Sequence, residues 1–219
     1  MKNKMKVAAC VLCVIATAYS LDSLDTLIPG TIEEYFPFSV GVGKHFDLLE
    51  PNADGETRFS YEICTEKENV EGELWGAFKR TVFLGSMKIE SQEVYAIGGN
   101  QVFLDFTMSM LGKKKFFERP IILKMPNTTE DIIEWSYHDD GDERSEHKCE
   151  AEYLPVLKTR RREFKHLIVV KKSSYLEGDL LTISKKFYAR NYGLVRSESI
   201  NPQNEELIMA TSYEVSIID

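Results

Sequence analysis

Stretch after stretch of this chain alternates apolar and polar side chains with a period of two, and none sustains the 3.6-residue period of a helix. Val102, Leu104, Phe106, Met108 and Met110 take one parity, while Phe103, Asp105, Thr107 and Ser109 take the other. Phe59, Tyr61 and Ile63 alternate with Arg58, Ser60, Glu62 and Cys64. Ile133, Trp135 and Tyr137 share a face, as do His147, Cys149, Ala151 and Tyr153. Such sets fit pleated strands with one buried face, because a slip of one residue would carry the whole apolar set into water. Between them lie turn clusters: Pro51 to Gly55, Gly98-Gly99-Asn100 and Asp139 to Asp142. Many short strands with polar turns make an all-β fold. We expect a single curved antiparallel sheet, a half-barrel or open barrel, of about ten strands with little helix.

Two strands carry particular weight. Met87, Ile89, Tyr95 and Ile97 share a parity that Ser91 and Glu93 interrupt, and a bulge near Gln92 would account for the break. The last strand places Leu207, Met209, Thr211, Tyr213, Val215 and Ile217 on one face, with Ile208 and Ala210 on the other. Its regularity predicts a central strand with the first set buried.

The segment Leu180 to Ile200 has the makings of a hairpin. Thr182, Ile183, Phe187 and Tyr188 suit a half-buried strand, and Asn191 and Gly193 tolerate the positive φ of a tight reversal. Its string Phe187-Tyr188-Ala189-Arg190-Asn191-Tyr192-Gly193-Leu194-Val195-Arg196-Ser197-Glu198 resembles the "YYA-x-G-x-GLV-K-S-E" hairpin of a family of exported, mostly uncharacterised proteins of Bacteroides-type bacteria. Tyr35 to Gly41 resembles that family's "YFPL-x-VG" opening. Ile122 to Pro126, followed by Trp135, resembles its "LLK-x-P…W" stretch, and Phe164 to Val170 its next strand. The chain departs from the pattern at Arg190-Asn191, where the family has glycine, and at His45-Phe46, where a tryptophan follows the opening. The resemblance implies a curved antiparallel sheet similar to the half-barrel of lipoprotein carriers. It implies no catalytic residues.

The N-terminus has the layout of a secretory signal peptide. Lys2, Lys4 and Lys6 precede an apolar run from Val7 to Thr17, and Ala18-Tyr19-Ser20 offers a cleavage site. We therefore expect a leader over residues 1–20, a single β domain over 21–219, and export to the periplasm or outer surface. No second apolar run reaches membrane-spanning length. The chain carries 27 basic and 35 acidic residues, a net of −8, which becomes −11 without the three leader lysines. That balance disfavours nucleic acid as a partner. Cys64 and Cys149 remain after the leader, either paired in an oxidising compartment or as buried thiols.

Catalytic and metal motifs are missing. No G-x-S-x-G elbow and no HExxH occurs. His138 to Glu143, with His147 nearby, gathers metal-type side chains without metal-type spacing, so an acidic hairpin tip explains them as well. We expect no enzyme, no cofactor and no metal. Lys113 to Lys115, Arg119 and the interleaved Phe116 and Phe117 suit a charged turn guarding a sheet edge, or a contact with lipid headgroups or an acidic partner.

The aromatics and methionines suggest a function. If the sheet is open, its concave face needs a cover, and helical sequence is scarce. We expect a non-enzymatic binding protein that holds an apolar small molecule or lipid against Tyr61, Trp75, Phe106, Met108, Trp135 and Tyr213. The competing expectation is a structural or interaction module, whose protein partner pairs with a sheet edge.

Overall fold

A computed structural model of the chain describes residues 27–49, 59–84, 87–109, 112–115, 118–139, 141–159 and 162–213. The leader expected over residues 1–20 lies outside the described residues. The first half gives α1 (Ile32–Tyr35), a single helical turn, then β1 (Gly43–Leu49), β2 (Phe59–Val70) and β3 (Glu73–Leu84). These are followed by β4 (Met87–Gly98), β5 (Gln101–Ser109), β6 (Gly112–Lys115) and β7 (Ile121–Lys124). The second half gives β8 (Ile133–Asp139), β9 (Asp142–Lys158), β10 (Glu163–Leu176), β11 (Asp179–Ala189), β12 (Gly193–Ile200) and β13 (Leu207–Tyr213).

The protein is all-β with almost no helix, but it is not a single sheet of about ten strands. Hydrogen-bonded neighbours follow the order β6-β5-β4-β3-β2-β1-β13-β12-β11-β10-β9-β8, with β7 added beside β5. This path forms two six-stranded antiparallel sheets, one curled into a half-barrel, and β1 pairs with β13 where the two halves meet. The expectation failed on strand length and number. β2, β3 and β4 are each 12 residues long, and the charged segment before Gly72 continues the strand instead of turning. Only Glu71 and Gly72 reverse the chain there, both with positive φ, and Glu177-Gly178 does the same between β10 and β11. Two-residue turns with positive φ at both positions match the right-handed twist of the strands they join.

The main core lies where the two sheets face each other. It gathers Phe78, Ile97, Val102 and Leu123 from one half with Trp135, Cys149, Ile168, Val170 and Tyr188 from the other. The segment around α1 adds Ile28, Ile32, Tyr35 and Phe38. A second cluster, Phe46, Phe164, Leu167, Val169, Phe187, Ala189 and Val195, occupies the opposite face of β10 and β11. Leu167 to Val170 are consequently all buried, as the unbroken apolar run requires of a strand covered on both faces.

Several expected faces are reversed. In β2 it is Ser60 and Cys64 that are buried, while Tyr61 and Ile63 are half-buried. Tyr61 lies across Gly43, where a Cβ would stand 1.9 Å from its hydroxyl, so the ring covers bare backbone of β1. In β5 Val102 is buried but Met108 is 44% exposed, because a bulge between Val94 and Tyr95 shifts the register with β4. In β13 Ala210 is buried and Leu207, Ile208 and Met209 are exposed. A bulge between Ser199 and Ile200 of the neighbouring strand breaks the alternation there. The expected position of β13, between two neighbours, is the observed one. Its continuation to Val215 and Ile217 lies outside the described residues.

Candidate functional site

The interior cavity is built on a charged row that crosses three strands. Lys44 of β1 stands directly opposite Glu62 of β2, and Glu62 directly opposite Arg80 of β3. Residues paired this way share a face of the sheet. One position along, Cys64 faces Phe78 and Phe78 faces Glu93 of β4. The row therefore sits beside the core and in phase with it. From the other sheet Lys186 and Tyr188 of β11 and Gly193, Leu194 and Ser197 of β12 complete the wall. The space they border is about 70 Å³.

The segment after α1 covers this space. Phe36 and Pro37 line it. The Phe36 ring stands 5.0 Å from Tyr95, 5.9 Å from Phe78 and 5.8 Å from Tyr188, in edge-on and tilted arrangements that suit the aromatic quadrupole. Phe38 packs on the backbone of Gly76, where a Cβ would lie 2.7 Å from its ring. The segment is tied to the β11–β12 turn. Arg190 Nε donates to Glu34 Oε2, and the Asn191 amide donates to the Glu34 carbonyl at 2.6 Å. Asn191 and Gly193 both have positive φ, as the hairpin sequence predicts. A Cβ on Gly193 would stand 2.8 Å from Lys44 Nζ and 3.1 Å from the Pro37 ring.

Burial dominates the electrostatics. It pushes the Lys44 ammonium below its ordinary value, with Glu62 opposing. It does the same to Lys186, with Glu93 opposing and Lys172 and Arg80 reinforcing. Tyr95 and Tyr188 are pushed upward by burial, so both phenols stay neutral, and the Tyr95 hydroxyl donates to Glu93 Oε2. The buried Nε of Arg80 has no hydrogen-bond partner. Three cations and two carboxylates thus face one small space beside four aromatic rings. Such a wall suits a ligand with an ionic end and an apolar end.

Of the six residues expected to hold an apolar ligand, the five whose side chains are described lie outside this cavity. Trp135 is core, its indole N–H donating to the Ile121 carbonyl at 2.8 Å. Trp75 borders an open depression on the outer side, with Val40, Glu66 and Val94, and carries the Arg119 guanidinium 5.0 Å from its ring centre. Tyr61 covers Gly43, Phe106 is half-buried in β5, and Met108 points to solvent. Tyr213 pairs with Phe46 across the seam, and its side chain lies outside the described residues. The structure therefore spreads these five over separate places.

Cys64 and Cys149 are both buried free thiols. At the acidic hairpin, His147 bonds Ser174 Oγ at 2.9 Å and approaches Asp139 at 3.4 Å, while His138 meets the Ser145 carbonyl. Among the described residues no three His, Cys, Asp or Glu side chains are placed to hold a metal ion.

No family model matches the chain, and no curated protein matches it in sequence. Its backbone does match solved structures. One is a candidate lipoprotein of Parabacteroides distasonis, with TM-score 0.52 and 13% identity, over 86% of this chain and 97% of that one. Another is a candidate exported protein of Bacteroides fragilis described as having a YmcC-like fold, with TM-score 0.50 and 12% identity, over 87% of this chain and 98% of that one. The fold is YmcC-like. Both neighbours come from Bacteroides-type bacteria, the source named by the sequence resemblance. At these identities the YmcC-like neighbours share the architecture, and the chemistry of this cavity must be read from its own side chains.

Proposed function

We propose that the protein is an exported, non-enzymatic binding protein whose ligand occupies the cavity between the two sheets. The observation that carries this reading is convergence. Five charged side chains and four aromatic rings, contributed by both sheets and by the covering segment, line one space of about 70 Å³. Convergent polar groups in an aromatic pocket are the usual anatomy of a small-molecule site. Export is supported by the leader-like residues 1–20 and by the descriptions of the two structural neighbours. The cavity has room for about five waters, enough for the head of an amphiphile but not for an acyl chain. The apolar part of a ligand would stack on Phe36 and Phe78 and leave beneath the covering segment.

Native mass spectrometry of protein recovered from its own compartment tests this. The expected result is a retained small-molecule adduct that denaturation releases. Protein at its bare sequence mass, with Phe36→Trp fluorescence unmoved by an extract of the same compartment, would remove the reading.

A second reading rests on a separate observation. Among the described residues β8 ends the strand order, with β9 as its one hydrogen-bonded neighbour. A partner adding a strand there would make the protein an interaction module. Crosslinking from Ser136→Cys, an exposed position on β8, would capture that partner.

A further inference from the structure

The interior of this acidic protein holds more positive than negative charge. Lys186 borders both the main cavity and a smaller one of about 50 Å³, which is also lined by Lys172, Tyr137, Cys149 and Ser184. Among the described residues no carboxylate lines the smaller space. Among them four cations, Lys44, Arg80, Lys172 and Lys186, border the two spaces that share Lys186, against Glu62 and Glu93. Among the described residues no carboxylate lies within ion-pair distance of these four. Among the described residues the buried Arg80 Nε additionally has no hydrogen-bond acceptor.

Uncompensated charges held out of water are costly unless something pairs with them. A chain with 35 acidic side chains could have supplied the missing carboxylates, yet it places two in this interior. We propose that the cavity is a site for a dianionic group, of phosphate-monoester type, held by Arg80 and Lys186 with Lys44 and Lys172 completing the charge balance. The size agrees, since a phosphate group has five heavy atoms and the cavity takes about five waters. Arg80 would present its fork to two oxygens, and the lysines would act as point charges. Burial disfavours the ammonium forms of Lys44 and Lys186 in the empty protein, and an anion beside them would favour those charged forms.

This inference rests on the cavity reading above, and calorimetry with three probes separates the two. The probes are inorganic phosphate, octyl phosphate and neutral octyl glucoside, titrated into the full mature protein. Octyl phosphate should bind one to one. Octyl glucoside should bind at least about tenfold more weakly, the factor that one lost charged contact brings. Phosphate binding as tightly as octyl phosphate would identify a free anion as the source; tighter octyl phosphate would identify an amphiphile headgroup. Lys186→Met should raise the melting temperature of the empty protein, by relieving the repulsion from Lys172 and Arg80, while weakening octyl phosphate at least tenfold. Arg80→Gln should weaken it likewise, so the result does not depend on one variant folding. Octyl glucoside binding as tightly as octyl phosphate, or unchanged affinity in both variants, overturns the dianion site and leaves the cavity reading standing. Silence from all three probes also overturns it, and the native adduct then decides the cavity reading alone.

Discussion

Glu34 and Arg190 are 156 residues apart in the chain, and their side chains form an ion pair at 2.5 Å. The contact joins the covering segment to the turn of the β11–β12 hairpin. The guanidinium beside it holds the Glu34 carboxyl below its ordinary value of 4.5, against the opposing effect of burial. A carboxyl whose folded value is depressed contributes stability above its unfolded value, and that stability is lost as pH falls through the folded value. Glu34→Gln should therefore melt below the parent at pH 7, the gap should close as pH falls below about 4.5, and high salt should narrow it. Melting curves from pH 3 to 8 check this; an equal gap at pH 3 and pH 7 would sink it.

Gly193 combines a φ of +71 with close approach to Lys44 and Pro37. Gly193→Val forces a β-branched side chain into both constraints and should cost about 1–3 kcal/mol. Urea melts read this directly, and an unchanged midpoint would mean that the turn and the covering segment relax freely.

The two thiols should behave as core. Burial pushes Cys149 up to about 11 and raises Cys64 as well. The thiolate is the reactive form, so iodoacetamide at pH 8 should leave both unlabelled for hours in the native protein. Urea without reductant should expose both, as peptide mapping would show. Rapid native labelling of Cys149, or a need for reductant, contradicts the structure.

Removing residues 206–219 takes away β13, which pairs with β1 on one side and β12 on the other. The edges of two sheets would then be unpaired at once. The shortened chain should lose its cooperative melt and its near-ultraviolet dichroism. Retention of both would make the seam dispensable.

How much of this was legible depended on which signal each element carries. Turns announce themselves chemically, so Gly99-Asn100, Gly141 and the Asn191–Gly193 reversal fall where the sequence places them. Trp135 and the Cys149–Ala151 face were readable because their strands alternate without a bulge over that stretch. β2, β5 and β13 each carry or adjoin a bulge, and one extra residue reverses parity unseen. The number of sheets was not legible, because period-two patterning records which face is buried and not what buries it. The charged cavity left a trace that was open to another meaning. Glu93 stands in phase with Tyr95, Glu62 with Cys64, and Lys186 with Tyr188. A polar residue in phase with core residues suggests a bulge when seen once. Seen in three strands, it marks a polar space inside the core.

The order of the strands has a consequence for how the chain finds its structure. β1 to β6 and β8 to β13 are each linked, strand to next strand, by local pairings. Such contacts close short loops at small entropic cost and form early. The pairing of Phe46 with Tyr213 is of another kind, since it waits on nearly the whole chain. Two locally folded ribbons must meet before that ladder can form, and their meeting also creates the cavity they jointly line. The cavity is thus an event late in folding, and a mutation that slows the zipping of β1 onto β13 delays its closure even where every lining side chain is intact.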